Sequence, residues 1–297
     1  MDEFPHGTGA EASPLDIRTF TFAPTFLGAY LPKGGARYGA ANIEDQSKVG
    51  ICTAISVTQN ARKATGKPYS ADFQYLIQKK FYDKNWNEGS SGLHALKAAY
   101  THGFLPLDEW KHTTQNDRKL SYSKYIAKLK AVSEDEIDRL LNIAAQHKII
   151  SAYANVPVER DAMAAAISES KAGIIARFLV GKEWYTDKNG KKSYAKEDIE
   201  PLRSPRLPIT GHLITLSNYD GNSFRTANTW GTDWADVGTA YLNLLTYQPT
   251  ECWAVWYQDE ILPPEIVQQQ KSRKELLGQI LNTLQKIVDL YNKLLKN

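Results

Sequence analysis

The sequence predicts an α+β protein with helices in its first half and short strands in its second, followed by a C-terminal amphipathic helix. Three observations carry this reading. Residues 52–148 place apolar side chains at the three- and four-residue spacings of helices. Residues 149–257 instead hold short apolar or alternating runs of strand type, separated by turn signals. Residues 265–297 contain no proline and a single glycine, and their apolar residues recur at heptad spacing.

Residues 1–13 (MDEFPHGTGAEAS) are small, polar and Gly/Pro-containing, and are expected to be disordered. Residues 14–262 are expected to form one domain. Its first stretch, DIRTFTFAPTFLGAYLP, is aromatic and β-prone and should pack on the body, as a structural arm or as a strand in or near a cleft. Cys52 to Lys63 should be the central helix, stopped by Gly66-Lys67-Pro68. A second helix is expected over 69–82, capped by Ser70, and a third over 93–100, closed by His102-Gly103. Residues 111–148 are polar and lysine-rich, with an amphipathic helix opening on Ser133. In the second lobe, ISAYANVP and AGIIARFLVG read as strands flanking a helix over 160–171. Residues 182–208 are polar with a turn at Asp187-Lys188-Asn189-Gly190; a solvated hairpin is favoured over a loop that overhangs the cleft. CWAVWY, from Cys252, is an apolar closing strand, which places Cys252 in the core.

Composition excludes several classes. With 42% hydrophobic and 23% charged residues among 297, the chain reads as an ordinary globular protein. A net charge of +3 gives no reason to expect a nucleic-acid partner. Two cysteines cannot make a disulfide framework. No run of 18 apolar residues predicts a membrane span, and the acidic N-terminus lacks the apolar core of a signal peptide, which favours a cytoplasmic location. No Cys/His cluster has zinc spacing and no Gly-rich phosphate loop is present, so neither a metal nor a cofactor is expected.

The chemistry concentrates in DQSKVGICTAI, residues 45–55. A thiol at the opening of a helix feels the positive end of the helix dipole, which favours the thiolate. The amide of Gln46, six positions before Cys52, can loop back to donate to an oxyanion on an acyl group. The plainer alternative is a buried structural cysteine after a glycine turn. Two later stretches weigh against it: TGHLITLSNYDG carries His212, and NTWGTDWADVGTAYL carries Asn228, Trp230 and Trp234. A cysteine nucleophile needs an imidazole to exchange its proton and a third group to orient that ring.

In these motifs the sequence resembles the papain-like cysteine peptidases, in the bacterial variant D-Q-G-x-x-G-S-C-T-A, over roughly residues 14–260. The resemblance implies a two-lobed fold, with a helical first lobe and an antiparallel, β-barrel-like second lobe, and peptide-bond hydrolysis without a cofactor. It implies Cys52 as nucleophile, His212 as general base and acid, Asn228 as its orienting amide and Gln46 as oxyanion-hole amide. Trp230 would shield the His–Asn bond, and Trp234 would be the second indole of that motif. Gly89, Ser90 and Ser91 would form the cleft wall that pairs with substrate backbone. The sequence also departs from the family. Val49 removes the cysteine of the bridge beside the site, Ile51 replaces a small serine, and Thr53 replaces an aromatic residue. The interval from Cys52 to His212 exceeds the roughly 130–150 residues usual for the family, which implies insertions between them.

The tail stands apart. Leu277, Leu284 and Tyr291 form one heptad series and Ile280, Ile287 and Leu294 another. Such a stripe must leave water, by docking on the chain's own domain, by self-association into a homo-oligomer through residues 265–297, or on a partner or membrane surface. Two functions are therefore expected in competition. One is a cysteine endopeptidase acting on peptide or protein substrates. The other is a catalytically weak papain-fold assembly protein that self-associates through its C-terminal helix.

Overall fold

The computed structural model describes residues 7–16, 19–22, 34–181, 184, 210–243 and 247–294. In chain order the elements are β1 (Ala10–Glu11), β2 (Phe20–Thr21), β3 (Gly34–Gly35), α1 (Cys52–Thr65), α2 (Ala71–Ile77), β4 (Ser90–Ser91), α3 (Gly92–His102), α4 (Tyr122–Lys130), α5 (Glu134–Ala144), β5 (Ile150–Val156), α6 (Arg160–Ser168), β6 (Ile174–Val180), β7 (Thr210–Tyr219), β8 (Phe224–Ala227), β9 (Thr239–Leu242), β10 (Glu251–Tyr257) and α7 (Pro264–Leu294). The chain forms two compact units, the first ending at Glu260 and the second beginning at Ile261.

The helix signals at Ser70, Ser133 and Gly66 act where the sequence places them, and Ser91 caps α3, a role the sequence reading does not give it. Ser70, Ser91 and Ser133 each accept a bond from a first-turn backbone N–H, of Phe73, His94 and Glu136 respectively. Gly66 ends α1 in the left-handed region at φ 73°, a conformation that favours glycine. The second helix leaves α geometry earlier than the expected residue 82, continuing from Gln78 to Asp83 as a π-type turn. Helix α4 was not foreseen, because its apolar face reduces to Tyr125, Ile126 and Leu129 amid lysines. These three join Ile55, Phe73, Leu76, Ile137 and Leu140 in the core of the helical lobe.

Strands of the second lobe run in the order β2-β5-β10-β6-β7-β8-β9, with β3 also on β7. All pairs are antiparallel except β2 with β5. The sheet is mixed with helices as expected, but among the described residues its path stays open and does not close into a barrel. Central β10 is buried on both faces, hence its unbroken apolar run. On one face Trp253, Val255 and Tyr257 meet α1 and α3; on the other Cys252 Sγ lies 3.4 Å from Met163 Sδ of α6.

The N-terminus differs from expectation. Residues 1–6 fall outside the described residues, but from Gly7 onward the chain is docked and not disordered: Ala10 is buried and β1 pairs with β4. Its Gly-Thr-Gly-Ala run is held through backbone groups, a mode that a hydrophobicity reading does not register. Phe22 of the aromatic stretch is buried 5.8 Å from the Trp256 ring, and the rest of that stretch, 23–33, lies outside the described residues. The hairpin expected over 182–208 likewise lies outside them, except Trp184.

The second unit is the single helix α7, with Pro264 at its first turn. Leu277, Ile280, Leu284, Ile287 and Tyr291 are all exposed along it. No helix among the described residues is long and apolar enough to cross a membrane.

A buried ion network braces the loop ahead of α1. Arg118 Nε donates to Asp72 Oδ1 (2.9 Å) and its Nη1 to Glu44 Oε1 (2.6 Å) and the Asp45 carbonyl (3.2 Å). The Tyr125 hydroxyl also donates to Asp72 Oδ1 (2.7 Å), and the Thr113 hydroxyl donates to Oδ2 (2.8 Å). Burial works against the Arg118 charge, but Asp72 and Glu44 outweigh it and raise its pKa. Removing one partner of such a network leaves the other charge buried and unpaired. Arg118→Met should therefore lower unfolding stability by about 3–5 kcal/mol, read from the urea midpoint. A loss below about 1 kcal/mol would show that the network is solvated in solution.

Candidate active site

The braced loop delivers Gln46 to the interface between the lobes, where it is fully buried. Its backbone N–H donates to the Thr229 carbonyl (2.8 Å), and its Oε1 accepts from Thr229 Oγ1 (2.5 Å). Fixing Oε1 fixes the opposite end: Nε2 donates to the Val49 carbonyl at 3.1 Å and to the Gly7 carbonyl at 2.5 Å. The amide thus already holds a peptide carbonyl oxygen.

Cys52 is the first residue of α1 and is fully buried, in one core cluster with Ala10, Leu213 and Trp253. Burial pushes its thiol up to about 11; backbone groups of Leu213, Thr53 and Cys52 itself, and the charge of Arg177, offset this in part. The helix dipole does not win here, contrary to the expectation of a thiolate, because desolvation of the charged form is the larger effect. The other cysteine, Cys252, is also raised, first by burial and then by the neighbouring Glu251 charge. Ile51 precedes the thiol, fully buried, and Thr53 Oγ1 donates to Gln78 Oε1 at 2.9 Å.

His212 lies on β7, immediately before Leu213, and is buried. Asn228 follows directly on β8, and its Oδ1 lies 2.7 Å from His212 Nε2. A carbonyl oxygen can only accept, so this bond selects the Nε2–H form of the ring. The same oxygen accepts the Thr229 N–H at 2.7 Å, and the Asn228 N–H donates to the Gly238 carbonyl at 2.8 Å. Trp230 stacks on the imidazole with centroids 4.4 Å apart and planes at 23°. Trp234 sits behind, edge-on to Trp230 at 5.8 Å, and donates to the Trp184 carbonyl at 2.8 Å. Trp184 itself packs edge-on to His212 at 6.1 Å. Sequence reasoning missed Trp184, because one tryptophan inside a long polar stretch gives no periodic signal.

Gly89 and Ser90, expected to form a cleft wall, are held by buried side chains. Buried Lys79 donates to the Gly89 carbonyl (2.7 Å) and to Asp83 (2.8 Å); Asp83 also accepts from Ser90 Oγ (3.1 Å) and meets His94 Nδ1 at 2.5 Å. Burial would raise the Asp83 carboxyl, but the His94 and Lys79 bonds hold it below its ordinary value.

Residues 7–13 of the chain run along this wall. Gly7 places its carbonyl between Gln46 Nε2 and Trp230 Nε1, the latter at 3.3 Å, and its N–H on the Ser47 carbonyl at 2.7 Å. Gly9 donates to the Gly211 carbonyl (3.1 Å) and accepts from the Ser90 N–H (2.9 Å). The register then pairs Ala10 with Ser90 and Glu11 with Ser91, in parallel. Arg177 Nε donates to the Ala10 carbonyl at 2.8 Å, and Ser13 reaches Glu251. Side chains are excluded on both sides of this seam: a Cβ on Gly9 would lie 2.9 Å from Gly89 Cα, and one on Gly211 would lie 1.9 Å from the Ala10 carbonyl oxygen.

The same arrangement of lobes occurs in solved structures. Xylellain, a cysteine protease from Xylella fastidiosa, superposes with a TM-score of 0.64 at 20% identity, over 86% of this chain and 97% of that one. The fold is papain-like. Digestive procathepsin L 3 of Tenebrio molitor (TM-score 0.52, 13% identity, 84% of this chain and 76% of that one) and procathepsin B S9 of Trypanosoma congolense (0.51, 15%, 85% and 87%) share it. No family model and no curated protein matches the sequence. Within this fold, the segment through Gly7 to Ser13 bonds to both lobes, to Gln46 and Ser90 on one side and to Gly211 and Glu251 on the other.

The thiol position carries a pH signature. An unfolded cysteine ionises near 9, whereas Cys52 in the fold holds its proton to about 11. The fold binds that proton more tightly, so its contribution to stability is present below pH 9 and is lost as pH rises from 9 to 11. Iodoacetamide labelling of Cys52 in the full chain should accordingly stay slow at neutral pH and climb toward pH 11. A labelling rate that levels off below pH 8 would contradict this.

Proposed function

We propose that this chain is a cysteine endopeptidase, in agreement with the papain-like fold. The observation that supports it most is an amide and an indole meeting at one peptide carbonyl beside an ordered imidazole: Gln46 Nε2 and Trp230 Nε1 both donate to the Gly7 carbonyl, and the Trp230 ring stacks on His212. In this reading Cys52 Sγ attacks the scissile carbonyl carbon, and the S–C bond forms as the carbonyl electron pair moves onto oxygen. Gln46 Nε2 and the Cys52 backbone N–H hold that oxyanion. His212 takes the thiol proton at Nδ1 and passes it to the leaving amine as the C–N bond breaks. Asn228 keeps the ring in its Nε2–H form, so Nδ1 remains the basic nitrogen. Water then attacks the thioester, His212 removing its proton, and the thiolate departs.

The same reading makes the described form a blocked one. Residues 7–13 occupy the position a substrate strand would take against β4, so peptide can enter only when they leave. The test compares hydrolysis of a quenched peptide library by four full-length proteins. Cys52→Ala should abolish cleavage. Gln46→Ala should lower kcat by about 10²–10³ with little change in KM. Gly9→Val, which forces the seam apart, should raise turnover by about tenfold, the effect of overpacking by 1–3 kcal/mol. Activity retained in Cys52→Ala would refute the nucleophile, and an unaltered Gly9→Val would refute the block.

The exposed stripe of α7 favours a second role, self-association, alongside catalysis or in place of it. Burying each Leu or Ile of the stripe would contribute about 1.5–3 kcal/mol. Sedimentation of full-length protein should then show a concentration-dependent oligomer that is lost when residues 265–297 are removed, while short-peptide hydrolysis survives. Monomers in both cases would rule the role out.

A further inference from the structure

The helical lobe holds a recess of about 420 Å³ whose lining is strongly cationic: Lys79, Lys80, Lys84 and Lys130 surround it with Trp86, and among the described residues Glu134 is its single carboxylate. Local geometry gathers these charges. Helix α2 runs on into the π-type turn Gln78–Asp83, and Lys84 follows in the left-handed region at φ 54°. Lys130 is the last residue of α4, and its ammonium lies 5.4 Å from the centre of the Trp86 ring. Lys80 pairs with Glu134 of α5. The Lys79 side chain is only 1% exposed and pairs with Asp83 at 2.8 Å. Among the described residues neither Lys84 nor Lys130 has a carboxylate partner, so the recess keeps a surplus of positive charge.

A concave site lined by one sign of charge concentrates counter-ions, and its volume is that of a small-molecule site. The donors select the kind of anion. A planar carboxylate is matched by the fork of an arginine, and no arginine lines the recess. Several lysines are separate point charges that approach from different directions, which suits the tetrahedral oxygens of phosphate. The recess also reaches the segment proposed to block the cleft. Besides Asp83, the Lys79 ammonium holds the Gly89 carbonyl at 2.7 Å, and Asp83 accepts from Ser90 Oγ at 3.1 Å. The Ser90 N–H in turn donates to the Gly9 carbonyl at 2.9 Å. In the same loop, Glu88 Oε1 accepts the Gly50 N–H at 2.7 Å, just ahead of Cys52. An anion that draws Lys79 toward the recess therefore weakens the hold on Gly89 and Ser90.

We infer that this lysine-lined recess is an effector site for a compact polyvalent phosphate, and that its occupancy loosens residues 7–13 from β4. The loosening rests on the blocked form proposed above; the binding does not. Two ammonium groups, those of Lys84 and Lys130, supply the charge the ligand neutralises, and Lys79 carries the change to Gly89.

The test titrates pyrophosphate into the full chain by calorimetry at constant ionic strength, with citrate as a carboxylate of comparable charge. Pyrophosphate should bind more tightly than citrate. Its Kd should rise by about tenfold in each of Lys84→Ala and Lys130→Ala, the usual worth of a charged hydrogen bond. Lys128→Ala, also on α4 but bonded to Asp117, should bind as the parent does. Iodoacetamide labelling of Cys52 at one fixed alkaline pH then reads the coupling without any peptide cleavage. Saturating pyrophosphate should speed labelling by about fivefold or more, within the usual range of coupling between sites, and should have no such effect in the Lys84→Ala/Lys130→Ala double variant. Absence of pyrophosphate binding, equal binding of citrate, or a Kd unchanged in both lysine variants would overturn the site. Binding with unchanged labelling would overturn the effector role. Both readouts stand if the chain cleaves no peptide, a result that would refute the peptidase reading alone.

Discussion

Helix α1 meets strand β7 and the strands beside it through a seam of polar side chains, and both lobes are positioned by that seam. Ser56 Oγ donates to the Leu213 carbonyl at 2.7 Å, Gln59 Nε2 to the Asn228 carbonyl at 3.3 Å, and Asn60 Nδ2 to the Ala172 carbonyl at 3.1 Å. Tyr257 closes the far end with a 2.7 Å bond to Asn60 Oδ1. Every one of these side chains is buried, so each unmade bond would cost the desolvation of a polar group. Apolar packing alone would tolerate a sliding helix. A row of directional bonds to fixed carbonyls allows only one axial position for α1, and that position sets Cys52 beside Leu213.

Much of this was legible in the sequence, for identifiable reasons. The helix caps at Ser70 and Ser133 and the stop at Gly66 are local signals, and locality is what a sequence displays. The strands ISAYANV and IIARFLV announced themselves by apolar pattern. His212 and Asn228 could be named because their motifs are short and chemically specific, and the 2.7 Å bond between them follows from adjacent strands. The polar face of α1 was misleading in isolation, because Ser, Thr, Gln and Asn look solvent-facing until the carbonyls that receive them are known.

What remained illegible depends on distance along the chain. Nothing in GTGA suggests a docked strand, since its partners Gln46, Ser90 and Gly211 are supplied by three other segments and act on its backbone. The upward shift of the Cys52 thiol had the same origin: the helix start is visible in sequence, whereas the burial that overrides the dipole is tertiary. Glu251 and Trp184 were passed over because a single charged or aromatic residue carries no period. Their significance comes from Ser13 and His212, hundreds and tens of positions away.

In the proposed blocked form, the strand against β4 is part of the same molecule, and this changes the kinetics of the blockade. An inhibitor tethered to its own site acts at an effective concentration that dilution does not alter, on the order of millimolar for a short flexible connection. A free peptide would have to outcompete that local concentration, whereas one cut between the strand and the body would let the occupant diffuse away for good. A population of such molecules would respond to nicking and not to its own abundance: silent at any expression level, then released one molecule at a time.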